Sequence, residues 1–178
     1  MPAFQALRLA PDYYERVWGG QRLRRASPPI GEAWIVHERN RVVGGEHAGR
    51  ALADLTAEWG EAMLGHRPLA RSGTRFPLLI KLLDTADWLS VQVHPNDVQA
   101  VQLEGSGHFG KTEAWHILEA APGAEVICGL QPSTTNDALA AAIREGTVTA
   151  IARRLPVAAG DTIFIGAGLT GVGGVLIG

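Results

Sequence analysis

One cysteine, Cys128, is the whole thiol content of this chain, so no intrachain disulfide can form. Its setting, Val126-Ile127-Cys128-Gly129-Leu130, reads as a buried thiol in a strand rather than a nucleophile. An excess of either charge is lacking too. Sixteen Lys and Arg stand against 18 Asp and Glu, a net charge of −2, which argues against nucleic acid or a membrane surface as partner. The one basic cluster, Arg22-Leu23-Arg24-Arg25, reads as a solvated loop. No apolar run approaches the roughly 18 residues that a membrane span needs. The opening MPAFQALRLAP lacks the apolar core of a secretory leader, so the expected location is cytoplasmic. Repeats and low-complexity tracts are absent.

What is present fits one folded domain over residues 1–178. Hydrophobic residues make up 46% of the chain and charged residues 19%, and the length allows a real core. Gly31–Glu38 alternates as a strand, with Glu32 and Trp34 on one face and His37 exposed on the other. Leu52, Leu55, Trp59 and Met63 form one stripe of a helix over Ala51–Leu64, closed by Gly65. Arg67–Arg75 reads as a loop and Phe76–Leu83 as a buried strand. Lys81 interrupts that strand: either it snorkels from an edge, or its ammonium faces an anion. Trp18 has two readings as well, core packing or a binding wall. Trp115–Glu119 and Ala124–Leu130 read as a hairpin through Pro122-Gly123. Thr134–Glu145 is a capped helix ending at Gly146, Thr147–Leu155 is helix or strand, and Thr162–Ile165 is a strand. Pattern alone supports an α+β or all-β fold.

The chemistry gathers in Phe76–Glu119. Leu89-Ser90-Val91-Gln92-Val93-His94 alternates, so it reads as a strand with Ser90, Gln92 and His94 on one face. Pro95 stops it, and Asn96 or Asp97 caps a short helix through Leu103. In Gly110-Lys111-Thr112-Glu113-Ala114-Trp115 the same parity puts Lys111 beside Glu113. If the two strands are neighbours, His94 and Glu113 meet. Imidazole, amide oxygen and carboxylate together suit a divalent metal such as zinc.

VQVHPND followed by GKTEAWHIL closely resembles the type I mannose-6-phosphate isomerases. So do Tyr13-Tyr14-Glu15-Arg16-Val17-Trp18-Gly19-Gly20, Gly31-Glu32-Ala33-Trp34, Phe76-Pro77-Leu78-Leu79-Ile80-Lys81 and Gly160-Asp161-Thr162-Ile163-Phe164-Ile165, in the family's order. The resemblance implies a mainly β cupin fold, a double-stranded β-helix jelly roll with a few peripheral helices. It implies one zinc held by Gln92, His94, Glu113 and a further histidine. The implied reaction interconverts mannose 6-phosphate and fructose 6-phosphate through a zinc-stabilised cis-enediol. By the same resemblance Ser90, Lys81 and Lys111 contact the phosphate, and Trp18 and Glu32 line the sugar pocket.

The chain departs from the family pattern near its end. Gly166 stands where proline is expected and Gly171 where the fourth ligand, histidine, is expected; no histidine follows His116. His108 is the substitute that parity leaves open. An arginine expected downstream has no counterpart in the 178 residues. These departures imply weak zinc binding, slow or absent turnover, and a barrel incomplete at its C-terminus, whose open edge invites a second copy of the chain. Three readings follow: a truncated or diverged isomerase, a non-catalytic cupin that binds a sugar phosphate or a partner protein, and a truncated product without selected function.

Overall fold

The structure, a computed structural model, describes residues 6–167. The expectation placed on Gly171 lies outside them. The chain divides into two compact units, one ending at Ala86 and the other beginning at Asp87.

The first unit is built on an antiparallel sheet of three strands, β1 (Asp12–Glu15), β2 (Ile30–Val36) and β3 (Ile80–Leu83), with β2 in the middle. Tyr14 pairs with Glu32, and Trp34 pairs with both Asp12 and Lys81. Side chains two apart share a face, so Asp12, Tyr14, Glu32, Trp34 and Lys81 stand on one side. That side is polar and aromatic. The core is built instead from Ile30, Ala33, Val42, Leu52 and Leu55. Asn40, fully buried, points its amide nitrogen at the Ala10 and Trp34 carbonyls and the Asp12 carboxylate.

The helix expected over Ala51–Leu64 is in fact two, α1 (Leu52–Trp59) and α2 (Glu61–Leu64). Gly60 separates them at φ +50°, a conformation open to glycine and costly for other residues. The apolar stripe runs on across the break, so periodicity alone does not reveal it. Residues expected as a loop after Gly65 form a short helix, α3 (His66–Ser72). β3 is shorter than the strand expected from Phe76. His37, expected exposed, is half-buried with its ring edge-on to Trp34 at 4.8 Å.

The second unit begins with α4 (Asp97–Glu104). A capping box starts it: Asn96 Oδ1 accepts from Gln99 N at 2.9 Å, and Gln99 Oε1 accepts from Asn96 N at 3.0 Å. Next come β4 (Glu113–His116), β5 (Glu125–Leu130), α5 (Asn136–Glu145), α6 (Val148–Ile151), β6 (Ala152–Pro156) and β7 (Thr162–Ile165). α5 is capped by Thr135, whose hydroxyl accepts from Ala138 N at 3.2 Å, and closed by left-handed Gly146. Asp137 in its first turn and Arg144 in its last suit the helix dipole.

β4 and β5 do not form the expected hairpin. β4 pairs antiparallel with β7 and β5 with β6. Thr147–Leu155, which pattern left open, is α6 running into β6. The sheets number three among the described residues, and none of them closes into a barrel. Val126 and Ile165 are buried together, with Trp115, Cys128, Leu155, Val157 and Ile163 packed around them. Glu113 pairs with Ile165, so its carboxylate stands on the face that carries this core. Within the described residues no helix is long and apolar enough to cross a membrane.

Candidate functional site

In the second unit the stretch from Trp88 to Asn96 joins no ladder, although its sequence alternates like a strand. It is placed by two hydrogen bonds at its far end. Lys111 N donates to Pro95 O at 3.1 Å, and Gly110 N to Asp97 Oδ1 at 2.9 Å. The backbones are close enough that a Cβ on Gly110 would lie 2.5 Å from both Pro95 O and Asn96 C, so glycine is required here. This approach brings His94 to Glu113, as the strand parity anticipates.

His94 Nε2 lies 3.2 Å from Glu113 Oε2. Lys111 Nζ lies 2.7 Å from Glu113 Oε1 and 3.1 Å from His94 Nε2. The His94 and Glu113 side chains are only 17% and 16% exposed, whereas Lys111, at 43%, is the outer member of the three. Gln92 and Ser90 are exposed, and Gln92 Nε2 donates to Ser90 Oγ at 3.0 Å. Neighbouring ligands of a tetrahedral zinc lie about 3.3–3.4 Å apart when each metal–ligand bond is about 2.0–2.1 Å. The His94–Glu113 separation fits that spacing, and an imidazole with a carboxylate fits zinc's preference. Among the described residues no three His, Cys, Asp or Glu side chains converge. His108 is exposed in the Gly105–Gly110 loop.

The first unit holds a second cluster. The Glu32 carboxylate, 8% exposed, accepts from Arg16 Nε at 3.0 Å on Oε1 and from Trp34 Nε1 at 2.8 Å on Oε2. Lys81 Nζ stands 3.7 Å from Oε2. Burial pushes the Glu32 pKa up. The Trp34 hydrogen bond, the Lys81 charge and Arg16 outweigh it, and the net shift is downward. Arg16 also lies over the Tyr14 ring, and Tyr14 packs on Trp34 at 4.7 Å. Trp18 is half-buried against Gly31, where a Cβ would meet its ring at 2.7 Å.

All eight expected site residues lie inside residues 7–121, the span matched by the model of the type I phosphomannose isomerase catalytic domain. The chain belongs to this family. A mannose-6-phosphate isomerase of Streptococcus mutans is 35% identical over 176 residues, covering 92% of this chain and 52% of that protein. The crystal structure of the mannose 6-phosphate isomerase from Bacillus subtilis superposes with a TM-score of 0.78 at 29% identity, covering 96% of this chain and 56% of that one. The cupin-type fold expected from sequence is thus the fold found. A zinc-bound holo mannose 6-phosphate isomerase shares that fold at a TM-score of 0.62 and 15% identity. The chain spans about half the length of the curated relatives it matches.

Some residues that build the two clusters carry little signal in sequence. Gly110 looks like one more glycine of a loose loop until its contact with Pro95 is seen. Arg16 lies just past β1, beyond a register shift between Tyr14 and Glu15, so strand parity does not carry to it; its backbone N–H bonds Pro29 O at 3.0 Å and its guanidinium reaches the Glu32 carboxylate.

Proposed function

We propose that this chain acts in the interconversion of mannose 6-phosphate and fructose 6-phosphate, an aldose–ketose isomerisation in which a proton moves between C1 and C2 of the sugar. The observation that carries the proposal is the meeting of His94 and Glu113 at 3.2 Å in the half-buried end of a core strand. We assign Gln92, His94 and Glu113 as the residues that hold zinc. Zinc, when bound, supplies a Lewis acid for the negative charge that develops on the sugar oxygens.

The chain's own groups account for binding and orientation. A phosphate dianion needs cationic partners, and Lys111 lies at the outer side of the His94–Glu113 pair with the hydroxyl of Ser90 on the same stretch as Gln92. In the first unit, Lys81 is the phosphate-directed cation of this reading, and Trp18 and Glu32 are its sugar-facing residues. Glu32 is held ionised, so it orients by accepting hydrogen bonds and is not a proton donor near neutral pH.

The test is a zinc titration of the purified chain against a chromogenic chelator, run beside His94→Ala, followed by a coupled assay on mannose 6-phosphate. One weak zinc site lost in His94→Ala, with slow, chelator-sensitive turnover, is the expected result. No zinc site above the variant's background sinks the metal assignment. Binding of mannose 6-phosphate without turnover would move the reading to a non-catalytic sugar-phosphate binder.

A further inference from the structure

The chain carries two lysines, Lys81 and Lys111, against fourteen arginines (16 Lys and Arg less two). Each lysine faces a glutamate on a sheet, Lys81 toward Glu32 and Lys111 toward Glu113. At Lys111 the ammonium also reaches a ring nitrogen, His94 Nε2, at 3.1 Å. In the tautomer protonated at Nδ1, Nε2 meets the ammonium with its lone pair, the pair a metal would take; in the tautomer protonated at Nε2, the ring donates to Glu113 Oε2 at 3.2 Å and the carboxylate alone holds the ammonium. The ammonium reaches the carboxylate at 2.7 Å in both.

We propose that Lys111 is the built-in counter-cation of this site: its ammonium occupies the His94 and Glu113 donors until a divalent metal displaces it. The proposal rests on the metal assignment above and adds the competition. A nitrogen with one lone pair cannot serve both cations, and a divalent ion beside an ammonium is repelled by it. The geometry lets Lys111 yield. It is the most exposed of the three side chains, its four-carbon stem is flexible, and a partly exposed ion pair costs little to break. An arginine fork would be harder to withdraw, which gives a reason for lysine in a chain otherwise served by arginine. Once displaced, the ammonium is released toward solvent, where an anionic substrate can use it. Metal binding would therefore precede engagement of the phosphate by Lys111.

Two readouts test this without activity. The first is zinc affinity, by chelator competition, of wild type, Lys111→Met and Lys111→Gln, each checked by circular dichroism for a cooperative melt. Removal of the ammonium should tighten zinc binding about tenfold, or reveal a site where wild type has none. The second is acylation of the wild-type lysines by acetic anhydride, read by mass spectrometry, with Lys81 as internal reference. Zinc should raise the rate at Lys111 relative to Lys81. Unchanged or weaker affinity in both variants, or a Lys111 rate that zinc leaves alone, overturns the proposal. So does the absence of zinc binding in all three proteins, since removal of the ammonium would then have uncovered nothing. A wild type that binds zinc, loses it in His94→Ala and is unaffected at Lys111 would leave the metal assignment standing and remove the competition alone.

Discussion

Two glutamates, one in each unit, are surrounded by cations in different ways. Glu32 has both oxygens met, one by the guanidinium of Arg16 just past β1 and the other by the indole of Trp34 on β2, with Lys81 farther off. Glu113 is met by a ring nitrogen and by an ammonium that is 43% exposed. The first arrangement is closed. Its donors are geometrically committed, and the carboxylate is nearly dry. The second is open on one side, and one of its partners can leave. Burial and donor fixity together separate a carboxylate that holds a sheet together from one that can exchange partners.

The comparison is broken most strongly by Glu32→Ala. Loss of a buried partner leaves cations with no counter-charge, a cost of about 3–5 kcal/mol when both sides are dry. Arg16 is 36% exposed and can rehydrate, so about 2–4 kcal/mol is expected from urea unfolding. Next comes Gly110→Val, which forces Pro95 away from the backbone of Lys111. The expected loss is about 1–3 kcal/mol, with zinc binding abolished even though every donor is still encoded.

A smaller effect is expected from acid. Glu32 titrates below its ordinary value of 4.5 in the fold, so its contribution is fully present above that pH and is lost as pH falls through the lower folded value. Stability measured from pH 6 to pH 3 should fall, and Glu32→Gln should flatten that slope. An unchanged slope would show that Glu32 is not held ionised. The smallest effect is expected from Glu113→Gln, which should change stability by less than about 1 kcal/mol because its charged partner Lys111 reaches solvent and the amide can still bond His94. It should still remove zinc binding. If Glu113→Gln proved as costly as Glu32→Ala, the contrast between the closed and the open cluster would be wrong.

How far these clusters could be read from sequence depends on whether the cause is local. The Asn96 cap, the Thr135 cap with Gly146, and the parity of Lys111 with Glu113 are written in neighbouring residues, and all three are found. The meeting of His94 with Glu113 was conditional on adjacency, and the adjacency exists, but through two backbone hydrogen bonds and a bare glycine rather than a strand ladder. Alternation along Leu89–His94 reports side chains taking opposite sides. It does not report a partner for the backbone. The pairing of β4 with β7 was not legible, since the two strands lie far apart in the chain and Pro122-Gly123 offers a plausible hairpin nearby. The turn is present, but Trp115 and Ile163 face each other within one buried cluster, and that packing settles the partner. Periodicity also ran straight across Gly60, because a hydrophobic stripe does not register a change of backbone sign.

The bond from Gly110 N to Asp97 Oδ1 spans 13 positions and, with Lys111 N on Pro95 O, pins together the two ends of the excursion that carries α4. Closing a loop costs little more as it lengthens, only about 0.6 kcal/mol for each doubling. Residues 105–109, exposed between the end of α4 and Gly110, are therefore a place where the chain can accept inserted segments while the register of His94 against Glu113 is kept. This makes the loop a port for grafting foreign segments while the pinned register stays fixed.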